Sequence, residues 1–379
     1  MPRIFDRARG VSDFSVFPGF HWAQNVPEAS QVYSAFLVGT FLIFAVFGRL
    51  GPAPTIRDAG GLSVPLQYFC MLLSISPLIT VMFAPEPFAY LKYASVAIGT
   101  SSREILAYHE IVSAFALLAI LCSSALIAGG DNVRAWVRLF GIVALLGSVW
   151  VTGKRAAVAI AIVALLIVAV QRSRVPRRNL VLGGCLATFF LGAYSVFYQA
   201  TFRAESELAN GVLGYRIDYT RDSPLLMAIS SELRPGILTI LEFRGQSYLY
   251  NVLSLVPRDF LSNKPYPYSY YFTSALFELP PQDLGWGMTT SIFDEAVANL
   301  GLSGLLLAPL AVGLLAILTD RVTSSFTRAL CILIICGLCA IQVSVLLPLI
   351  VFVMSLLLVS LSMRLGLFGL RSEQVTRSV

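Results

Sequence analysis

Long apolar runs separated by short polar breaks make up most of this chain. Runs of about 17–25 apolar residues match the hydrocarbon thickness of a bilayer, and they recur between residues 31 and 363. Ten predicted membrane-spanning helices follow: 31–48, 62–83, 87–101, 105–128, 137–152, 155–171, 179–198, 295–318, 328–345 and 347–364. The third is short and holds Lys92. The last two form one apolar run too long for a single crossing, so a break is placed near Pro348.

Between the seventh and eighth runs the pattern changes. Residues 199–290 carry Pro224, Pro235, Pro257, Pro265 and Pro267 and lose the span pattern. Within them, 225–233 (LLMAISSEL) and 237–256 keep helix-like apolar spacing. Short helices lying in the membrane interface are expected there, not a free domain. The expected fold is an all-α polytopic membrane protein in five parts. These are a cytoplasmic N-terminal segment (1–30), a seven-span block (31–198), an extracytoplasmic loop (199–294), a three-span block (295–364) and a cytoplasmic tail (365–379).

Composition agrees. The 379 residues are 57% hydrophobic and 13% charged, with a mean hydropathy of +0.77, too few charges for the polar skin of a soluble domain. Residues 1–30 hold Arg3, Arg7 and Arg9 without a continuous apolar core, so they do not read as a cleaved signal peptide. The net charge of +6 forms no long basic face. It fits cation-rich cytoplasmic loops and not nucleic-acid binding. The six cysteines all sit in apolar runs, and the Cys336–Cys339 pair has no second pair or His nearby to complete a zinc site.

The same positive-inside rule orients the spans. Residues 171–178 (QRSRVPRR) hold four arginines and are expected to be cytoplasmic. Alternation then places 129–136, 319–327, the C-terminal tail and, with ten spans, the N-terminus on that side. It also places Lys154 and Arg155, in the tight connection between the fifth and sixth spans, outside. Short hairpins tolerate such exceptions; alternatively, the pair holds an anion at the outer surface.

Polar chemistry gathers in the long loop. It carries seven cations, nine carboxylates and eight of the fifteen tyrosines, four of them in PYPYSYY (265–271). Tyrosine rings stack on sugars, but they are also enriched at membrane surfaces. Arginine forks suit phosphate and could stabilise a departing pyrophosphate. The segment VPRDFLSNKP (256–265) brackets Arg258 and Lys264 with prolines that fix the backbone. No DxD or ExD pair in the outer loops signals a carboxylate-held metal, so no metal or cofactor is expected. His109 and Glu110 sit at the outer end of the fourth span, where ionisable residues are costly and often functional. In GWGMTTSIFDEAVANLGLSGLL (285–306), Asp294 and Glu295 open the eighth span. There they either complement the helix dipole or, for Glu295, supply a general base.

The order GKRAA at a hairpin, a long loop containing VPRDFLSNKP, and GWGMTTSIFDEAVANLGLSG entering a span resembles the Wzy-type oligosaccharide repeat-unit polymerases of O-antigen and exopolysaccharide. The resemblance covers residues 150–318. It implies a GT-C-like, metal-independent glycosyltransferase at the outer face of the bacterial inner membrane, acting on polyprenyl-pyrophosphate-linked oligosaccharides. It also implies a chain-length-determining co-polymerase and a flippase as partners, beside membrane lipid. The catalytic set it points to is Arg155, Arg258 and Glu295, with Arg216 and Arg244 as weaker carry-overs. The substrate-binding set is Lys154, Lys264, Tyr266, Tyr268, Tyr270 and Trp286. Related O-antigen ligases carry a His just before the late span; here Thr289 and Thr290 stand there, which favours polymerase over ligase. A secondary transporter is the reading from another class. It is disfavoured by span centres nearly free of charge and by the lack of an internal repeat.

Overall fold

A computed structural model describes residues 26–51, 62–96, 102–127, 133–172, 177–202, 222–236, 238–254, 256, 258, 260–284, 287–322 and 325–364. Among the described residues the chain is all helical, without strands. The helices are α1 (Pro27–Leu50), α2 (Val64–Met82), α3 (Arg103–Ile127), α4 (Ala135–Thr152), α5 (Arg155–Arg172), α6 (Arg177–Phe202), α7 (Asp222–Leu233), α8 (Gln246–Leu253), α9 (Tyr268–Phe277), α10 (Ile292–Leu300), α11 (Gly304–Asp320), α12 (Ser325–Ala340) and α13 (Val343–Arg364).

Six stretches are long and apolar enough to cross a membrane: α1, α2, α4, Glu104–Ile127 of α3, Val181–Tyr198 of α6, and Ile292–Asp320. Shorter apolar helices lie at Arg155–Val168, Phe326–Ala340 and Val343–Ser355. Phe41 on α1 and Phe189 on α6 are 74% and 76% exposed, which suits a hydrocarbon solvent and not water. The chain is a multi-pass membrane protein. Its core centres on α3, whose Ile120, Leu121 and Leu126 pack with Cys70 of α2, Leu330 of α12 and Leu346 of α13. A second core joins α1, α7, α9 and α10 through Phe36, Met227, Phe272 and Val297.

Four expectations are corrected. The third predicted span is not a crossing in its described part. Pro87–Leu91 is one short 3-10 helix, followed by turns to residue 96 in which Ala94 has φ 60°. Pro85 and Pro87 interrupt the hydrogen-bond ladder. The buried Tyr90 ring lies 5.7 Å from His109, pinning the segment across the end of α3.

Residues 26–30, expected across the membrane from the long loop, lie beside it: Glu28 is 3.6 Å from Arg234. At its other end α1 meets the end of α11, where Phe47 packs on Gly313 and Gly51 adjoins Asp320. Residues 1–25, the arginine at 174 and the tail 365–379 lie outside the described residues.

The third correction concerns 225–233. Leu225 through Ile229 are buried, so α7 is a core helix and not an interfacial one, and within 237–256 only α8 is helical. Fourth, the final two helices separate at Ile341–Gln342, and Pro348 sits inside α13.

The stretch Ile292–Asp320 is two helices, not one. Gly301, at φ 68°, opens a 3-10 turn, and α11 folds back so closely that a Cβ on Gly304 would stand 2.3 Å from the Ala296 carbonyl oxygen. Backbone cannot yield there as a flexible side chain would. Gly304→Ala is expected to destabilise the protein by about 1–3 kcal/mol. A lower thermal midpoint of the detergent-solubilised protein would show this; an unchanged midpoint would contradict the tight joint.

Candidate functional site

The hairpin between α4 and α5 is shaped by its glycine. Gly153 ends α4 in the left-handed region (φ 61°), and a Cβ there would meet the Ala94 Cα at 2.6 Å. The hairpin therefore presses on the 92–96 turns, and the next two residues leave it in different directions. Lys154 turns toward α3 and donates to Ser113 Oγ at 3.1 Å. Arg155 lies over the Tyr198 ring, 4.8 Å from its centroid. There it enters an aromatic cluster in which Tyr93 lies 5.2 Å from Trp150 and bonds the Tyr194 hydroxyl.

The segment 254–266 is tied to itself by its two cations. The Arg258 guanidinium donates to the carbonyls of Lys264 and Pro265, both at 2.8 Å. In return, Lys264 Nζ donates to the carbonyls of Ser254 (3.0 Å) and Val256 (2.9 Å). The Arg258 guanidinium also lies 3.9 Å from the Tyr266 centroid, and Lys264 Nζ 5.0 Å from that of Tyr250. Such cation–π contacts strengthen as water is excluded. Tyr266 stacks on Tyr270 at 5.8 Å. The proline-bracketed motif thus has a local meaning: paired, charge-assisted bonds hold an irregular loop in one shape.

Electrostatics show what this loop faces. Burial and then Arg258 lower the Lys264 pKa, and Glu110 of α3 opposes them. Burial also lowers that of Lys154, and Glu110 again opposes. Tyr270 is pushed up to about 12 by burial first and then by Glu110, Tyr250 and Tyr266. Glu110 is therefore close to both lysines and to the tyrosine shelf, and it is exposed. Lys154, Lys264, Tyr250 and Tyr270 all feel its charge, while Arg258 adjoins Lys264 and Tyr266 stacks on Tyr270.

Glu295 has a different setting. It is 1% exposed, and its Oε1 accepts from Ser247 Oγ at 2.9 Å and Asn251 Nδ2 at 3.0 Å. Asn299 Nδ2 donates to Ser247 Oγ and to the Glu295 carbonyl, each at 2.7 Å. The network joins α8 to α10. Capping falls to Asp294, whose carboxylate accepts from the Ser291 N–H at 2.8 Å and from its hydroxyl.

The remaining expected residues are dispersed. Arg244 pairs with Glu232 at 2.7 Å and covers Gly301. Tyr268 is 2% exposed beside Phe272, in the core and not on the shelf, because α9 turns that side toward α1 and α10. Arg216 and Trp286 lie outside the described residues. Among the described residues no His, Cys, Asp and Glu group could hold a metal ion.

Sequence reasoning singled out Glu110 but left it outside the site set, and it missed Tyr250 and the partners of Glu295. Ser247/Asn251 and Glu295/Asn299 are i, i+4 polar pairs, a spacing that marks one helix face. That signal was available. Compared with protein-family models, curated proteins and solved structures, the chain matches none of them.

Proposed function

We propose that the chain is a metal-independent polymerase that joins polyprenyl-pyrophosphate-linked oligosaccharides at the outer face of a bacterial inner membrane. One observation carries the reading: Lys154 and Lys264 both feel the charge of the exposed Glu110 at the end of α3, and Arg258 lies against Lys264 beside the stacked Tyr266 and Tyr270. Net positive charge in this cluster suits a pyrophosphate leaving group, and the Tyr266–Tyr270 stack suits sugar rings. Topologically we read nine crossings, α1–α6 and α11–α13, in a GT-C-like arrangement. Their parity leaves the cationic hairpin on the same side as the long loop.

In the reaction, an acceptor hydroxyl of an incoming repeat unit attacks the anomeric carbon of the growing chain. The new glycosidic bond forms as the carbon–oxygen bond to pyrophosphate breaks. Glu110 takes the hydroxyl proton, since a base must reach the substrate and Glu295 is enclosed. The cations neutralise the departing pyrophosphate. Arg258 also keeps the loop in shape, and Glu295 holds α8 in place. Arg155 supports the hairpin through Tyr198.

Charge at the lysines sets a pH dependence. Burial lowers both, so each loses its proton below the ordinary lysine value. Ser113, Glu110 and His109 face Lys154; Arg258, Tyr250 and Glu110 face Lys264. Elongation is expected to fall on the alkaline side before ordinary lysines titrate, measured as product length against pH. A flat alkaline limb would show that the lysine charges are not needed.

The direct test in cells is the length distribution of surface polysaccharide after deletion of this protein. Single repeat units in the deletion strain, restored to long chains by the intact protein, would support the polymerase. Long chains without it would remove the reading.

A further inference from the structure

Helix α8 is built inside out. Gln246 and Ser247 are 4% and 0% exposed, and Tyr250, Asn251 and Ser254 follow them on the side toward the protein. The opposite side carries Leu249, 43% exposed, and Val252, 79% exposed. That apolar row continues beyond the helix through Val256 and Phe260, the latter 82% exposed.

A helix at a water-facing surface turns its apolar stripe to the core. Here the inward stripe must be polar, because Ser247 and Asn251 hold the buried Glu295 carboxylate. An outward stripe of large apolar residues then needs an apolar surrounding. Neighbouring structure supplies one: α8 packs against α13, whose own outward residues Val351, Met354 and Leu358 are about half exposed. Helix α8 thus stands beside an apolar helix whose outer face is of the kind that meets lipid.

We infer that α8 and the 256–260 turn are seated in the lipid leaflet on the loop-bearing face, with Leu249, Val252, Val256 and Phe260 packed against acyl chains. The segment forms a thin partition. Lipid lies on one side of it, and the Glu295 network with the Arg258–Lys264 loop lies on the other. The inference does not depend on the polysaccharide chemistry. It concerns what covers this row, and the occupant is bilayer lipid, not a second copy of the chain.

Photo-crosslinking tests it. p-Benzoylphenylalanine is placed at Val252 or Phe260 of the full chain, reconstituted in phosphatidylethanolamine–phosphatidylglycerol vesicles, irradiated and weighed by intact mass spectrometry. Phe189, on the outward side of α6, serves as the lipid-facing control, and the exposed Gln282 as the aqueous one. Phospholipid adducts at Val252 and Phe260 comparable to those at Phe189, with none at Gln282, are the expected result. Two results would overturn the inference: no lipid adduct at either position while Phe189 gives one, or adducts to a second copy of the chain.

Discussion

Glu110→Gln is expected to lower the rate of chain elongation on the order of 100-fold, the usual loss when a positioned base is removed. Protein level in the membrane should not change, because the Glu110 side chain is exposed and glutamine keeps its size. Glu295→Gln is expected to behave in the opposite way. The amide keeps an acceptor oxygen for Ser247 and Asn251, so α8 stays joined to α10 and elongation continues at near the normal rate. Glu295→Ala removes that acceptor from the buried Ser247 and the half-buried Asn251. Stranding buried polar groups costs about 1–3 kcal/mol each, so this variant should be less stable and less abundant. Elongation rate and membrane abundance, measured together for the three variants, separate base from latch. Abolished activity in Glu295→Gln at normal abundance would return the proton-accepting role to Glu295.

Arg258→Ala is the second large effect. It frees the Lys264 and Pro265 carbonyls and leaves the Tyr266 face without its cation. Two charge-assisted bonds contribute about 1.5–3 kcal/mol each, so the loop would leave its shape and elongation should fall at least about tenfold. Arg258→Lys keeps the charge but has no planar fork to reach two carbonyls. It is expected to remain impaired. Polymer-length profiles of strains carrying each variant give the answer. Full length restored by lysine would mean that charge alone matters and that the clasp is incidental.

Much of the architecture was legible in the hydropathy pattern, because a bilayer imposes one length rule on every crossing. The rule failed where an apolar run was punctuated by proline. Pro85 and Pro87 make a 3-10 strap of the described part of the third run, and residues 26–30 lie beside the long loop instead of across the membrane from it. Helix α7 was misplaced for another reason. Its apolar spacing is real, but spacing cannot say whether a stripe meets lipid or protein, and α1 and α10 cover it. The hairpin cations and the 256–265 motif were readable from position and proline bracketing. That Arg258 and Lys264 bind each other's backbone was not, since a carbonyl acceptor leaves no mark in a sequence. Glu295 was conspicuous as an acid at a helix start, yet the cap is Asp294. The role of Glu295 depends on Ser247, forty-eight residues earlier, which only the fold brings near.

The most direct measurement is reconstitution. The purified full chain in phospholipid vesicles is given a polyprenyl-pyrophosphate-linked oligosaccharide of its host, without added divalent metal, and the products are resolved by length. The expected result is a ladder of lipid-linked chains differing by one repeat unit, with one polyprenyl pyrophosphate released for each linkage formed. A substrate that stays a single unit, or that crosses the bilayer intact, would contradict the polymerase and favour transport.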